Sequence, residues 1–207
     1  MDEISIYLVR HGETEWNRLG RLQSNQDSPL TALGVQQAKE LRSLLAEIRF
    51  VKAFVSPLKR AVDTLGIILQ DRCVETEILA DLREIELGPW EGVTKEEARR
   101  DNPDQHEHFW RSPDKFCMEG AETFQMLQDR TVRSIESIFS NVGSGNYLLV
   151  SHWIAIKVIM AYYLSIPIEN LPDLEDPDNG SILRLTKKQG RINVDIDSAS
   201  WKQGSGR

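Results

Sequence analysis

The stretch that most constrains this chain lies close to its start, where the apolar run 4–9 (Ile-Ser-Ile-Tyr-Leu-Val) stops abruptly at Arg10-His11-Gly12-Glu13-Thr14. Its β-branched and aromatic content, with little alternation, marks a short strand buried on both faces, as in sheets sandwiched between helices. Open α/β sheets place their ligand sites beyond the carboxyl ends of such strands. Arg10 carries a planar, permanently charged fork suited to phosphate or carboxylate oxygens. His11 can act as nucleophile, base or metal ligand. Gly12 removes a side chain where backbone must approach a ligand closely. Alone, the triplet is explained equally well by a strand ending in a solvated arginine and histidine.

The rest of the chain repeats the alternation of strand and helix. Residues 12–30 read as a long polar loop, and Thr31 as the N-cap of a helix running to about residue 49. Residues 51–55 form a second strand candidate, ending at Ser56-Pro57, which reads as an N-cap serine with proline at the first helical position. Arg60 falls in the first turn of the helix that follows, beside the positive end of its dipole. Residues 73–79 suggest a third strand and 82–92 a shaped loop with Gly88, Pro89 and Gly92. A short helix over 94–100 opens a charged excursion, broken by Pro103 and Pro113, that caps the site or lies on the surface. A helix is expected over 121–139, a buried strand over 147–150, an apolar helix over 153–164, and a strand pair over 181–186 and 191–196. The pattern predicts a single domain over 1–199 with a cap or excursion at 94–120 and a frayed tail at 200–207. Its fold class is three-layer α/β/α with a mostly parallel sheet, made mixed by the last strand pair.

Bulk properties narrow the partners. The chain has 207 residues and a formal net charge of −7, so no broad surface attracts nucleic acid or anionic lipid. No apolar run reaches the roughly 18 residues a membrane span needs; the longest, 154–164, contains Lys157. The acidic start, Met1-Asp2-Glu3, does not resemble a signal peptide. Cys73 and Cys117 form no CxxC pattern and read as thiols of a reducing cytoplasm, a single disulfide being the alternative. His106 and His108 lack further ligands at metal-site spacing. The expectation is a cytoplasmic protein without nucleic-acid or membrane partners, its oligomeric state left open between monomer and homodimer.

Three strand ends now look alike: the first delivers Arg10 and His11, the second Arg60, and the strand at 147–150 delivers His152. As parallel neighbours they would gather two arginines and two histidines at one sheet edge, a pocket for a dianionic phosphoryl group in an otherwise acidic protein. The motifs over residues 4–186 resemble, in order, those of the histidine phosphatase superfamily, the phosphoglycerate-mutase-like group. They are Arg10-His11-Gly12-Glu13-Thr14-Glu15-Trp16-Asn17; Leu22-Gln23 and Pro29-Leu30-Thr31 with Gly34 and Gln37-Ala38; and Ser56-Pro57-Leu58-Lys59-Arg60-Ala61 with Thr64. They continue with Leu82-Arg83-Glu84, Gly88 and Trp90-Glu91-Gly92; Glu119-Gly120-Ala121-Glu122-Thr123; Val150-Ser151-His152; and Asn179-Gly180-Ser181-Ile182.

The resemblance implies a phosphoglycerate-mutase-like fold and a metal-independent phosphatase acting on small-molecule phosphate monoesters. His11 would be the nucleophile that carries the phosphoryl group, Arg10, Arg60 and His152 would hold its oxygens, and Glu84 would be the acid and base. Asn17 and Gln23 would supply neutral donors. No metal or other cofactor is implied, since the arginines bring the positive charge. Glu86 and Glu91 compete with Glu84 for the acid role, and Glu13 reads as orienting the loop. Arg18, Arg21, Arg99 and Arg100 could meet a second anionic group or simply be solvated. Where the family usually has glycine after the second histidine, this chain has Trp153. With Trp90, Phe109, Trp110 and Phe116 it either favours an apolar or aromatic leaving group or packs the helices. Two other readings remain: a phosphoglycerate mutase of the same family, and a phospholigand-binding module without catalysis.

Overall fold

The computed structural model describes residues 3–196; the expected tail at 200–207 lies outside them. Six strands form one sheet: β1 (Glu3–Arg10), β2 (Phe50–Val55), β3 (Glu75–Ile78), β4 (Gly145–Ser151), β5 (Ile182–Lys188) and β6 (Arg191–Ile196). Their order is β3-β2-β4-β1-β5-β6. β3, β2, β4 and β1 run parallel, whereas β5 and β6 are antiparallel to their neighbours. The sheet is therefore mixed, as its sequence pattern predicts. The β5–β6 hairpin turns through Gln189 and Gly190, both at positive φ, as a two-residue hairpin turn of type I′ requires.

Side-chain alternation along the strands builds the layers. On one face Ile6, Leu8, Phe54 and Leu149 pack against Ile135, Ile138 and Phe139 of α6 (Phe124–Asn141) and Ile156, Ile159 and Met160 of α7 (Trp153–Tyr163). On the other, Val9, Ala53, Val55, Leu148 and Val150 meet Leu41 of α2 (Ala32–Leu44) and Ala61, Leu65 and Ile68 of α3 (Lys59–Leu69). Each fully buried Leu or Ile contributes about 1.5–3 kcal/mol relative to exposure, so this two-sided burial holds strand register firmly.

The excursion after β3 is a pair of helices, α4 (Lys95–Asp101) and α5 (Pro103–Arg111). Despite its charge it is anchored by a third cluster in which Ala98, Phe109 and Phe116 join Trp90, Phe124 and Val158. Trp90 and Phe116 are thus core residues, with ring centroids 5.6 Å apart. Cys73 and Cys117 are both exposed and unpaired, so the disulfide alternative is not realised. Among the described residues no helix is long and apolar enough to cross a membrane.

Two local expectations need correction. The loop at 12–30 contains a short helix, α1 (Glu15–Arg18), closed by a reciprocal capping box between Thr14 and Asn17. Ser56 does not cap α3, which begins at Lys59 behind Leu58 without a side-chain cap. The free amides of that first turn are taken instead by Asp27, which accepts from Lys59 N at 2.7 Å and Arg60 N at 3.4 Å. A Ser-Pro pair satisfies the local rule for a helix start, but the Ser56 hydroxyl is engaged by His152, 2.7 Å away.

The loop after β1 lies directly on the start of α2. A Cβ at Gly12 would fall 2.4 Å from the Gly34 carbonyl oxygen, and one at Gly34 only 2.0 Å from that of Glu13. This backbone-to-backbone contact forbids side chains on either partner. Gly34→Ala should therefore reverse the usual sign of glycine replacement within a helix, which stabilises by about 1 kcal/mol. Destabilisation of about 1–3 kcal/mol is expected from overpacking, measured as a fall in urea midpoint at unchanged slope.

Candidate active site

Strand pairing delivers the histidines together. Arg10 lies opposite Ser151 in the β1–β4 register, and His11 N continues the ladder by donating to Ser151 O at 3.1 Å. The two imidazoles that follow have centroids 5.2 Å apart. His11 Nδ1 lies 2.8 Å from Gly12 O. A carbonyl only accepts, so Nδ1 carries the proton and Nε2 keeps its lone pair. The loop is pinned further by Gly12 N donating to Thr64 Oγ1 (3.1 Å) and by Asn179 Nδ2 donating to His11 O (2.8 Å). His152 Nε2 shares a hydrogen with Ser56 Oγ, while its Nδ1 is buried without a partner.

Two arginines, Arg60 buried and Arg10 half-buried, complete the cluster. Arg60 is 2% exposed, and its Nη atoms donate to Ser24 O, Gln26 O and Asp27 Oδ1 at 2.7–2.8 Å. Arg10 Nη1 donates to Pro177 O at 2.6 Å. In both, Nε is buried and unpartnered. Burial lowers the Arg10 guanidinium to about 10, with Glu84, Asp176 and Asp178 acting the other way. Burial, then the charges of Arg60 and Arg10, holds His11 well below its ordinary value. His152 is shifted the same way by burial, Arg60, His11, Arg10 and Arg130. Both imidazoles are therefore neutral at neutral pH.

Glu84 sits at the start of α7. Its Oε1 accepts from Ile85 N (2.9 Å) and Ala155 N (3.1 Å), and its Oε2 from Ile154 N (3.1 Å). Free amides at a helix N-terminus are a natural seat for a carboxyl group. Glu86 is exposed, and Glu91 accepts from Asn25 N at 3.3 Å.

A cavity of about 340 Å³ is lined by Arg10, His11, Arg60 and Glu84, together with Asn17, Gln23 and Trp153. His152 lies immediately behind His11, fully buried. The Oδ1 of Asn17 and the Oε1 of Gln23 accept from Thr14 and Ser28 respectively. Their amide nitrogens have no partner among the described residues. Trp153 stacks on Trp110, centroids 5.5 Å apart at 30°, with the Arg10 guanidinium 5.8 Å from its ring centre. The excursion reaches the cavity through Lys95 and Phe109. Glu13 binds Thr31 Oγ1 through its carboxylate. Of the four further arginines, Arg21 borders the cavity; Arg18 pairs with Glu15 and Arg100 with Asp101. Among the described residues no group of three or more His, Cys, Asp or Glu is arranged to hold a metal ion.

Sequence reasoning missed Ser24, Asp27 and Arg130. Ser24, at φ 52°, bridges the 82–92 loop to Arg60: its Oγ binds Ile85 O and Leu87 N, and its carbonyl binds Arg60. A serine within a polar loop carries no local signal of such a role.

The family model for the histidine phosphatase superfamily (branch 1) matches residues 6–196. The adenosylcobalamin/alpha-ribazole phosphatase of Salmonella typhimurium (strain LT2) is 31% identical over 166 residues, 80% of this chain and 82% of that protein. The probable phosphoglycerate mutase GpmB of Shigella dysenteriae serotype 1 is 34% identical over 170 residues, covering 79% and 76%. Among solved structures, Bacillus stearothermophilus YhfR superposes with a TM-score of 0.91 at 32% identity, over 94% of this chain and 96% of its own.

The two arginines penalise an imidazolium at His11, so removing one must move its titration upward. By long-range ¹H–¹⁵N NMR, His11 should remain the neutral Nδ1–H tautomer to well below pH 6.5. In Arg60→Gln the midpoint should rise.

Proposed function

The chain belongs to the histidine phosphatase superfamily, branch 1, and on that premise we propose that it hydrolyses small-molecule phosphate monoesters through a phosphohistidine on His11. One observation carries the reading. A neutral histidine with a free Nε2 lone pair borders a cavity beside three buried nitrogens without partners, Arg10 Nε, Arg60 Nε and His152 Nδ1, the last a donor when His152 Nε2 accepts from the Ser56 hydroxyl. Buried polar groups are otherwise almost always paired, and three such donors match the equatorial oxygens of a phosphoryl group.

In the first step His11 Nε2 attacks phosphorus. The P–N bond forms as the P–O bond to the leaving group breaks, and Glu84 serves as the general acid that passes a proton to that oxygen. In the second, water attacks phosphorus, Glu84 takes its proton, the P–N bond breaks and inorganic phosphate departs. Arg10 and Arg60 offset the charge on the transferring group, and preorganised donors of this kind are each worth about 10²–10³ in rate. The alpha-ribazole phosphatase relative supports the hydrolytic reading. Because the arginines supply the positive charge, turnover should not need an added metal.

The leaving group would lie against Leu22, Leu87, Phe109 and Trp153, which line the cavity beyond Glu84. This wall favours a substrate with an apolar or aromatic body. A second reading, phosphoglycerate mutase, is favoured by the cationic Arg21 and Lys95 at the same cavity and by the name of the Shigella relative. Following phosphate release against interconversion of 3- and 2-phosphoglycerate decides between the two.

His11→Ala should lose at least about 10³-fold in kcat on p-nitrophenyl phosphate, and a chelator should leave the wild type unaffected. Activity surviving that substitution overturns the reading. Trp153→Gly should lower the preference for aryl over glycerol phosphate, in kcat/KM, by about tenfold; an unchanged ratio would make the indole a packing residue only.

A further inference from the structure

The acid loop is held from behind by a buried ion pair that does not touch the cavity. Arg130, on α6, uses every N–H of its guanidinium. Nε donates to Glu122 Oε1 at 2.7 Å, and Nη2 to Glu122 Oε2 (2.8 Å) and Glu84 O (2.9 Å). Nη1 donates to Asp81 O (2.7 Å) and Arg83 O (2.9 Å). Glu122 in turn accepts from Glu86 N at 3.2 Å and donates its own N–H to Glu86 O at 2.8 Å. The side chains are only 14% and 9% exposed. One planar fork thus fixes three backbone carbonyls, of Asp81, Arg83 and Glu84, while the Glu84 carboxyl is fixed separately by the amides of Ile85, Ile154 and Ala155.

We infer that Glu122 and Arg130 are positioning residues for proton transfer: their ion pair sets the backbone from which Glu84 reaches the leaving oxygen. This inference rests on the acid role proposed for Glu84. A lysine cannot replace the arginine, because a point charge cannot serve three carbonyls and a carboxylate in one plane. Displacements of about 1 Å at a reacting group can cost about 10² in rate. A pair that only stabilised the fold would affect all substrates alike. A pair that aims Glu84 matters most when the leaving group is a poor one and needs a proton.

The test is kcat/KM, which reports formation of the phosphohistidine, over a series from p-nitrophenyl phosphate to alkyl phosphates. Wild type, Glu84→Gln, Arg130→Lys and Glu122→Gln are compared, with inhibition by inorganic phosphate measured on each. Glu84→Gln should steepen the dependence on leaving-group pKa. Arg130→Lys and Glu122→Gln should steepen it in the same direction, losing about tenfold on alkyl phosphates, part of the 10²–10⁴ that a positioned acid supplies. Losses on p-nitrophenyl phosphate should be much smaller, and inhibition by phosphate close to wild type. Glu122→Gln keeps the shape of the side chain, so it carries the comparison if Arg130→Lys does not fold. A flat response in Glu84→Gln itself would remove the acid assignment and this inference with it. A steep response there, with uniform losses in the other two, would leave the acid assignment standing and reduce the pair to a structural role.

Discussion

The parallel pairing of β1 with β4 is the contact on which the site depends. It sets Arg10 beside Ser151, so the two histidines leave the sheet as neighbours with no loop needed to bring them together. A one-residue slip would turn every side chain of β1 to the opposite face, sending Leu8 and Val9 into the wrong layers and His11 away from His152. Core packing and the geometry of the two histidines are thus held by the same ladder. β2 adds to it through Ser56 N, which donates to Val150 O at 3.0 Å and brings the Ser56 hydroxyl to the second imidazole.

Around this rigid centre the remaining groups are held by longer-range contacts, and here the reach of sequence reasoning is visible. Arg10, His11, Arg60 and His152 were legible because each follows an apolar run, a pattern that comes from the fold's own architecture. Glu84 was legible only through its resemblance to a motif, since charge alone does not distinguish it from Glu86 or Glu91. Ser56 misled because its local signal, a helix start, was overruled by a partner nearly a hundred residues away. Asp27 and Arg130 were illegible for the complementary reason: each acts on backbone groups supplied by distant segments. The charged helices α4 and α5 concealed their anchors, because the few residues that bury, Ala98, Phe109 and Phe116, show no sustained period.

The cluster of buried cations also bears on how the chain survives. Arg10, Arg60 and two neutral imidazoles occupy a small desolvated volume, where burial first, and then the charge of the arginines, lowers the affinity of both histidines for protons. Such an arrangement favours reactivity over stability, the trade common at functional sites. An anion that seats there binds the folded chain and not the unfolded one, so it shifts folding by mass action, by about 2.7 kcal/mol at a hundred times its dissociation constant. For a domain whose whole margin is of the order of 5–15 kcal/mol, that is a substantial share. Under the proposed function, stability and turnover would then draw on the same few groups, and a phosphate seated among them would tighten the fold that holds it.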